Sequence, residues 1–429
     1  MHDEREPDAA GTRNDRSGDA AVRVRACRSC GSSALRSFLS LGATPIANAL
    51  VDPLTAGDGD AGYPLEVGFC TSCALVQLVY ELPAELIFGA EYPYFSSFSD
   101  MLVRHAAASV DALVVERGLG ADSFVVELAS NDGYLLQRFV EHGVPVLGIE
   151  PTPGPAEAAR QIGVPTTEAF FDAELGARIR SERGPADVII ANNVMAHVPD
   201  LNSFVAGMAA LVADDGIVSV ENPGVRYLLE HVEFDTIYHE HFCYFSTLSV
   251  KRLFERHGLH LQDVRLFEDL HGGTLRWTGG KQPHASAAVE EHLGGDLALG
   301  LDCLTAYEDF GARVKTNQDE LRELLGGLRS QGATIAAYGA TAKGATLLNT
   351  TGIGADVIDF VVDRNPHKQG KLMPGVRLPI LDPAALVERR PDYVLLLAWN
   401  LRDEVMAQQE DFRRGGGRFI VPVPRPEVV

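Results

Sequence analysis

The hydrophobic pattern sorts most of the chain into two stretches of alternating strand and helix. Ser123-Phe-Val-Val-Glu-Leu128, Val146-Leu-Gly-Ile-Glu150, Asp187-Val-Ile-Ile-Ala191 and Gly216-Ile-Val-Ser-Val-Glu221 are short apolar runs, each closed by a turn residue or an acid. Helical patterning fills the intervals, as from Tyr134 to Phe139. Continuous apolar runs of this length read as strands buried on both faces, and their alternation with helices predicts a doubly wound α/β sheet. A second series opens at Gly332, with strands expected at Ala333–Tyr338, Val357–Val362 and Tyr393–Leu397. Residues 285–330 are mostly helical in pattern and join the two lobes.

The N-terminal part reads differently. The first residues are Asp, Glu, Arg, Gly and Ala with almost no apolar content, which predicts a disordered tail. The expected division is a tail over 1–22, a cysteine-bearing module over 23–85, a Rossmann-like domain over 86–284 and a second Rossmann-like α/β domain over 285–429. A length of 429 residues suits several domains with ample core. The formal net charge of −22 argues against a nucleic-acid or anionic-membrane partner, since both select a basic surface. It leaves room for an anionic small ligand held by a local cluster. No run approaches the roughly 18 apolar residues of a membrane span, and no signal-peptide core opens the chain. The expectation is a cytoplasmic protein, and with no heptad or other association signal, a monomer.

The cysteines narrow the picture. Cys27-Arg-Ser-Cys30 and Cys70-Thr-Ser-Cys73 form two Cys-x-x-Cys pairs, and Cys243 and Cys303 stand alone. Two thiolate pairs on tight knuckles complete a tetrahedral site, which Zn²⁺ favours, and a redox pair needs only one such motif. With all four positions filled by protein, the metal is expected to be structural.

The first turn of the central sheet, Ala129-Ser-Asn-Asp-Gly133, is not a G-x-G-x-x-G dinucleotide turn. Its small residues allow close approach to the backbone, and Glu150 closes the next strand where an acid accepts from a ribose diol. This arrangement, with Glu127, Ala129, Asn131, Gly133, Glu150 and Asn193 at the carboxyl edge of the sheet, looks like a site for S-adenosylmethionine (SAM). Asn192-Asn-Val-Met-Ala-His197 brings His197 to the same edge. Glu91-Tyr-Pro-Tyr-Phe-Ser-Ser-Phe-Ser99 is an aromatic, hydroxyl-rich loop, suited to a pocket wall or to an inter-domain connection.

Thr236-Ile-Tyr-His-Glu-His-Phe-Cys-Tyr-Phe245 carries the densest chemistry. If extended, it sets Tyr238 and Glu240 on one face and His239 and His241 on the other; a turn would sort them differently. The segment reads as acid/base machinery, as a metal site or as a polar surface run; the spacing of its histidines does not match H-E-x-x-H. Arg276 either approaches an anionic group or is structural. Gly339-Ala-Thr-Ala-Lys-Gly344 begins the second α/β unit with a glycine-bearing turn before a helix, and Lys343 with the helix N–H groups makes an anion site there. Asp363 and Trp399 follow strands of the same unit.

Taken in order, the two Cys-x-x-Cys pairs, Tyr92-Pro-Tyr-Phe-Ser-Ser, Glu127-Leu-Ala-Ser-Asn-Asp-Gly133, Asn192 to His197, Tyr238-His-Glu-His-Phe242 and Gly339 to Gly344 resemble the SAM-dependent sugar C-methyltransferases of deoxysugar and antibiotic biosynthesis. The resemblance covers essentially everything after the tail. It implies a dTDP-linked 4-keto-deoxysugar as substrate, with C3 the commonest position of methylation and C5 chemically equivalent. It further implies His241 as the base, Tyr238 and Glu240 assisting, and Tyr92 and His197 facing the sugar. Tyr94, Arg276, Gly339, Lys343, Asp363 and Trp399 are the residues expected to face the substrate or its nucleotide. One departure is Ala129, where the family usually has Gly. None of the expected steps uses a metal, which sets the zinc apart from the chemistry. The rival classes are methylation of oxygen or nitrogen on another small molecule, and a non-catalytic nucleotide-sugar scaffold.

Overall fold

The computed structural model describes residues 20–54, 57, 59–87, 95–268, 270 and 272–429. The central sheet has seven strands in the spatial order His260–Phe267, Thr274–Gly280, Val212–Pro223, Ala186–Asn192, Val125–Leu128, Val146–Ile149 and Thr166–Thr167. The last five in that order are parallel, and Thr274–Gly280 inserts antiparallel between Val212–Pro223 and His260–Phe267. The strand order reverses between Val125–Leu128 and Ala186–Asn192, so a crevice opens at the carboxyl ends of these two strands. Val125–Leu128 and Val146–Ile149 are buried at every position, as their uninterrupted apolar runs require.

The C-terminal sheet has six strands in the order Ile380–Leu381, Val361–Val362, Ile335–Tyr338, Tyr393–Leu396, Arg418–Val421 and Glu427–Val428. Its order reverses between Ile335–Tyr338 and Tyr393–Leu396, as in the central sheet. The strand expected over 357–362 contracts to Val361–Val362, because Val357 closes a turn onto the Gly354 carbonyl. Helices Ala287–Ala298 and Leu304–Ser330 fill the helical stretch expected between the lobes.

The cysteine module contributes an antiparallel sheet of four strands: Leu35–Thr44, Tyr63–Cys70, Val76–Leu78 and, from far along the chain, Cys243–Tyr244. This sheet lies between the two lobes. Leu41, Val67 and Phe69 pack with Tyr307, Phe310 and Val314 of the long helix, with Phe69 stacked on Tyr307 at 4.5 Å between ring centroids. Cys27, Cys70 and Leu75 pack with Phe242, Cys243 and the central domain. Val51 and Asp60 reach the C-terminal domain, Val51 bridging to Leu372 and Asp60 forming a two-pronged ion pair with Arg377. The two-residue strand Val22–Arg23 pairs with Tyr80–Glu81, and residues 1–19 of the expected tail lie outside the described residues.

Candidate active site

The segment Tyr238–His241 is a turn and not an extended strand. The His241 N–H donates to the Tyr238 carbonyl at 2.9 Å, closing a four-residue loop. An i to i+3 closure brings the first and last side chains together, so Tyr238 meets His241 instead of Glu240. Their ring centroids lie 4.0 Å apart, and Tyr238 Oη is 2.9 Å from His241 Nε2. His241 Nδ1 is 2.8 Å from the Thr236 carbonyl. A carbonyl only accepts, so Nδ1 carries the proton, and in the neutral ring Nε2 presents a lone pair to the Tyr238 hydroxyl. The residues between them turn inward: His239 and Glu240 are buried.

His197 comes to the same place from the central sheet. It ends the short 3₁₀ turn Met195–His197 after the strand Ala186–Asn192. Its Nδ1 donates to the Glu240 carbonyl at 2.8 Å, and its ring stands edge-on to His241 at 4.8 Å. Burial pushes its pKa down to about 4, so the ring is neutral at physiological pH. His239 points the other way, with Nε2 3.3 Å from the carbonyls of Tyr63 and Pro64 in the cysteine module, and burial lowers its pKa too. Three consecutive titratable side chains therefore go to three different neighbourhoods, which is no metal-binding arrangement. The cluster of metal-ligating side chains found among the described residues is that of the four cysteines.

The first turn of the central sheet is tightly wound. Ala129 (φ 54°), Asn131 (φ 50°) and Gly133 (φ 79°) all adopt left-handed backbone. That φ favours Gly over Ala at position 129, and a Cβ on Gly133 would come within 3.1 Å of the Ala159 and Val164 side chains. Glu150 secures the turn: its two carboxylate oxygens accept the N–H groups of Asn131 at 3.0 Å and Thr152 at 2.8 Å. Asn193, also left-handed (φ 54°), donates its N–H to the Glu221 carbonyl at the facing strand end. The backbone of the preceding segment closes over this turn, with Ser96 N donating to Asn131 Oδ1 and Ser97 N to Asp132 Oδ2. Three carboxyls, those of Glu127, Asp132 and Glu150, converge here. Burial, reinforced by the charges of Glu150 and Asp132, holds the Glu127 pKa well above the usual carboxylate range. Glu127 Oε2 and Asp132 Oδ1 are buried with no partner among the described residues. Buried carboxyls that lack a counter-charge, and ionise only at a cost, suit a ligand carrying a sulfonium and an ammonium group. SAM fits this donor-poor site, and Asp132, noted from the sequence as a residue of the turn but not among the expected cofactor residues, joins those that would hold it.

Family models match the chain in three consecutive parts: a zinc binding domain over 27–88, a methyltransferase domain over 103–264 and a C-methyltransferase C-terminal domain over 269–424. The C-methyltransferase NovU of Streptomyces niveus is 37% identical over 96% of this chain and 98% of its own length. The chain belongs to the SAM-dependent C-methyltransferase family. An uncharacterised methyltransferase of Mycobacterium leprae is 28% identical over 26% of this chain and 43% of its own. Among solved structures, a magnesium protoporphyrin IX methyltransferase from Synechocystis PCC 6803 with bound SAM is similar at 16% identity, covering 43% of this chain and 82% of its own, with a TM-score of 0.33.

In this C-methyltransferase the four module cysteines meet as expected. Cys27 Sγ lies 3.4 Å from Cys73 Sγ and Cys30 Sγ 3.6 Å from Cys70 Sγ, and all four sulfurs fall within 4.8 Å of one another. Contact with Cys27 and then burial hold the Cys73 thiol far above its ordinary value. Crowded sulfurs that resist ionisation by themselves are what a divalent cation resolves, and Zn²⁺ fits the set as a structural metal. The module is not structurally apart from the chemistry, however. Its sheet is completed by Cys243–Tyr244, two residues beyond His241.

The remaining residues singled out from the sequence are placed as follows. Arg276 lies on the strand Thr274–Gly280, where its Nε donates to the buried Glu221 carboxylate at 2.5 Å; His105 binds the same carboxylate at 2.9 Å. The guanidinium thus has an internal anion as its partner, which is the structural alternative. Asp363 accepts the N–H groups of Ala340 and Asn365, both at 2.8 Å, and so braces the Gly339 turn from within. Gly339 (φ 101°) lets that turn pass Ala398, whose Cβ a side chain would meet at 2.9 Å. Lys343 Nζ sits 4.4 Å over the Trp399 ring and is buried without a hydrogen-bond partner among the described residues. Tyr92 and Tyr94 lie outside the described residues.

Proposed function

We propose that this C-methyltransferase removes a proton from a carbon beside the ketone of a dTDP-linked 4-keto-deoxysugar and methylates that carbon, C3 by preference, on the way to a branched natural-product sugar. A neutral carbon is no nucleophile, so carbon methylation needs a base where heteroatom methylation does not. The observation that carries this reading is the Tyr238–His241 pair: an imidazole whose Nδ1 lies on the Thr236 carbonyl, which fixes the proton there, so that Nε2 of the neutral ring would face a phenol hydroxyl with its lone pair. The carbon-bound proton passes to the Tyr238 oxygen as the Tyr238 proton moves to His241 Nε2, leaving an enolate whose charge rests on the former ketone oxygen. His197, neutral and oriented through Glu240, stands beside His241 as a group to orient the sugar. SAM, when bound at the Ala129–Gly133 turn, supplies an electrophilic methyl on a sulfonium. The carboxyls of Glu127, Asp132 and Glu150 would hold its cationic end and its ribose. Lys343, at the helix start after Gly339, faces the nucleotide's diphosphate, with Trp399 as the wall beneath it.

Proton exchange in D₂O tests this directly. The keto sugar nucleotide is followed by NMR with S-adenosylhomocysteine (SAH) in the cofactor site. Enzyme-dependent deuterium uptake at C3, lost in both His241→Asn and Tyr238→Phe, is the expected result. Uptake at C5 moves the methyl and keeps the mechanism. Bound sugar without uptake at either carbon overturns the carbanion step in favour of methylation at oxygen or nitrogen.

A further inference from the structure

Glu240 is 1% exposed and lies in the turn that joins Tyr238 to His241. Among the described residues its carboxylate has no Arg or Lys partner. The donor found on it among the described residues is Asn48, whose Nδ2 is 2.8 Å from both Oε1 and Oε2. Asn48 belongs to the cysteine module, in Pro45-Ile-Ala-Asn48 just beyond the strand Leu35–Thr44. Two other ties join the module to the same turn: the carbonyls of Tyr63 and Pro64 on His239, and the pairing of Cys243–Tyr244 with Val76–Leu78. A scaffold needs only the backbone pairing. A buried carboxylate spanned by one amide is a different kind of contact, because both of its oxygens depend on a residue from another domain.

We propose that Asn48 is a positioning residue for carbon methylation, holding the Glu240 carboxylate in place beside the Tyr238–His241 pair, so that the zinc module is part of the active site. The inference rests on the reading of that pair as the base. Burial pushes the Glu240 pKa up to about 7, and the side-chain and backbone N–H groups of Asn48 oppose the rise. Asn48 therefore governs how much of Glu240 is charged near neutrality. A negative charge one residue from His241, in a site shielded from water, favours proton uptake by the imidazole. The other titratable groups around Glu240 are Tyr238, His239 and His241 on its own turn, His197 from the central sheet and Tyr63 from the module. Of these, His197 and His239 are held neutral by burial. On the flanking elements, Asp60 is paired with Arg377, and Asp235 lies toward Lys343.

The test is a double-mutant cycle on the full-length zinc-loaded enzyme, with kcat and KM measured from acid to alkaline pH. Asn48→Ala is expected to lower kcat about ten- to a hundredfold, the range of a hydrogen bond to a charged group. It is also expected to move the acidic limb of the profile to higher pH, with zinc content and SAH affinity unchanged. In a Glu240→Gln background that limb is absent, and Asn48→Ala costs less than about twofold, since the two changes remove one interaction. Asn48→Leu, close in volume but without the N–H or a charge, carries the same cycle should the alanine variant not fold. Multiplicative losses, or an acidic limb that Asn48→Ala does not move, overturn the proposal. If His241→Asn and Glu240→Gln both keep full activity, the reading of the catalytic turn fails as well; if His241→Asn is dead and Asn48→Ala is not impaired, only the role of Asn48 fails.

Discussion

Trp399 of the C-terminal domain donates its indole N–H to Asp235 of the central domain at 2.7 Å. Asp235 is fully buried, three residues before Tyr238, and its other oxygen has no partner among the described residues. The lobe that carries Lys343 is thus bonded to the stretch that leads into the Tyr238–His241 turn. Trp399→Phe keeps the ring and removes the donor. It is expected to destabilise the protein by about 1–3 kcal/mol, the cost of an unmet buried acceptor, and to lower kcat. With only two tryptophans in the chain, and Trp277 sealed in the core, the difference spectrum isolates Trp399. A nucleotide sugar that engages Lys343 is expected to change Trp399 emission, and a fluorescence titration checks this.

Tyr238→Phe takes the hydroxyl from His241 Nε2 without disturbing the Nδ1 bond to Thr236. The expected loss in kcat is about 10²–10⁴, the range of general acid–base catalysis, with SAH affinity intact by calorimetry. A variant that keeps its rate would leave His241 to act on the substrate alone.

Glu240 makes stability depend on pH in a predictable direction. Its folded pKa, about 7 against an ordinary 4.5, is raised, so its contribution is full below about 4.5 and is lost as the pH rises through about 7. Glu240→Gln removes that dependence, with a ceiling on the order of 3 kcal/mol. His197 works in the opposite sense: with a folded pKa of about 4, its contribution is present above its ordinary 6.5 and is lost as the pH falls toward 4. Thermal unfolding of wild type and Glu240→Gln between pH 4.5 and 8 is expected to show the variant gaining on wild type as the pH rises.

Loss of zinc should reach the chemistry through the module's sheet. Cys30→Ser or Cys70→Ser is expected to lower metal content by elemental analysis and to reduce methyl transfer much more than SAH binding. The strand after Cys73 holds Cys243–Tyr244, whereas the cofactor turn is braced by Glu150 within the central domain. Equal losses in both would point to global unfolding instead.

Ala129 occupies left-handed backbone at φ 54°. Replacing it with Gly relieves about 1 kcal/mol or more of backbone strain, partly offset by the greater freedom of Gly in the unfolded chain. The expected outcome is stability equal to or slightly above wild type, with SAM affinity retained. A fall in melting temperature would show that the Ala129 methyl makes packing contacts worth more than the strain.

The sequence by itself determined the two sheets, the cysteine cluster and the residues at the first turn. These are local properties: an apolar run buried on both faces, thiols spaced on knuckles, and an acid ending a strand carry their meaning within a few residues. Glu150 and Gly133 could be read that way. The tertiary structure decided who faces whom. Alternation along Tyr238–His241 paired Tyr238 with Glu240 on paper; the turn closed by His241 N–H paired it with His241. Arg276 looked open to an anion until the fold set Glu221 on the neighbouring strand. Asn48 carried no signal at all, because its meaning comes from Glu240, far along the chain, and a contact made by closing so long a loop depends on the packing of three domains and not on any pattern near either residue.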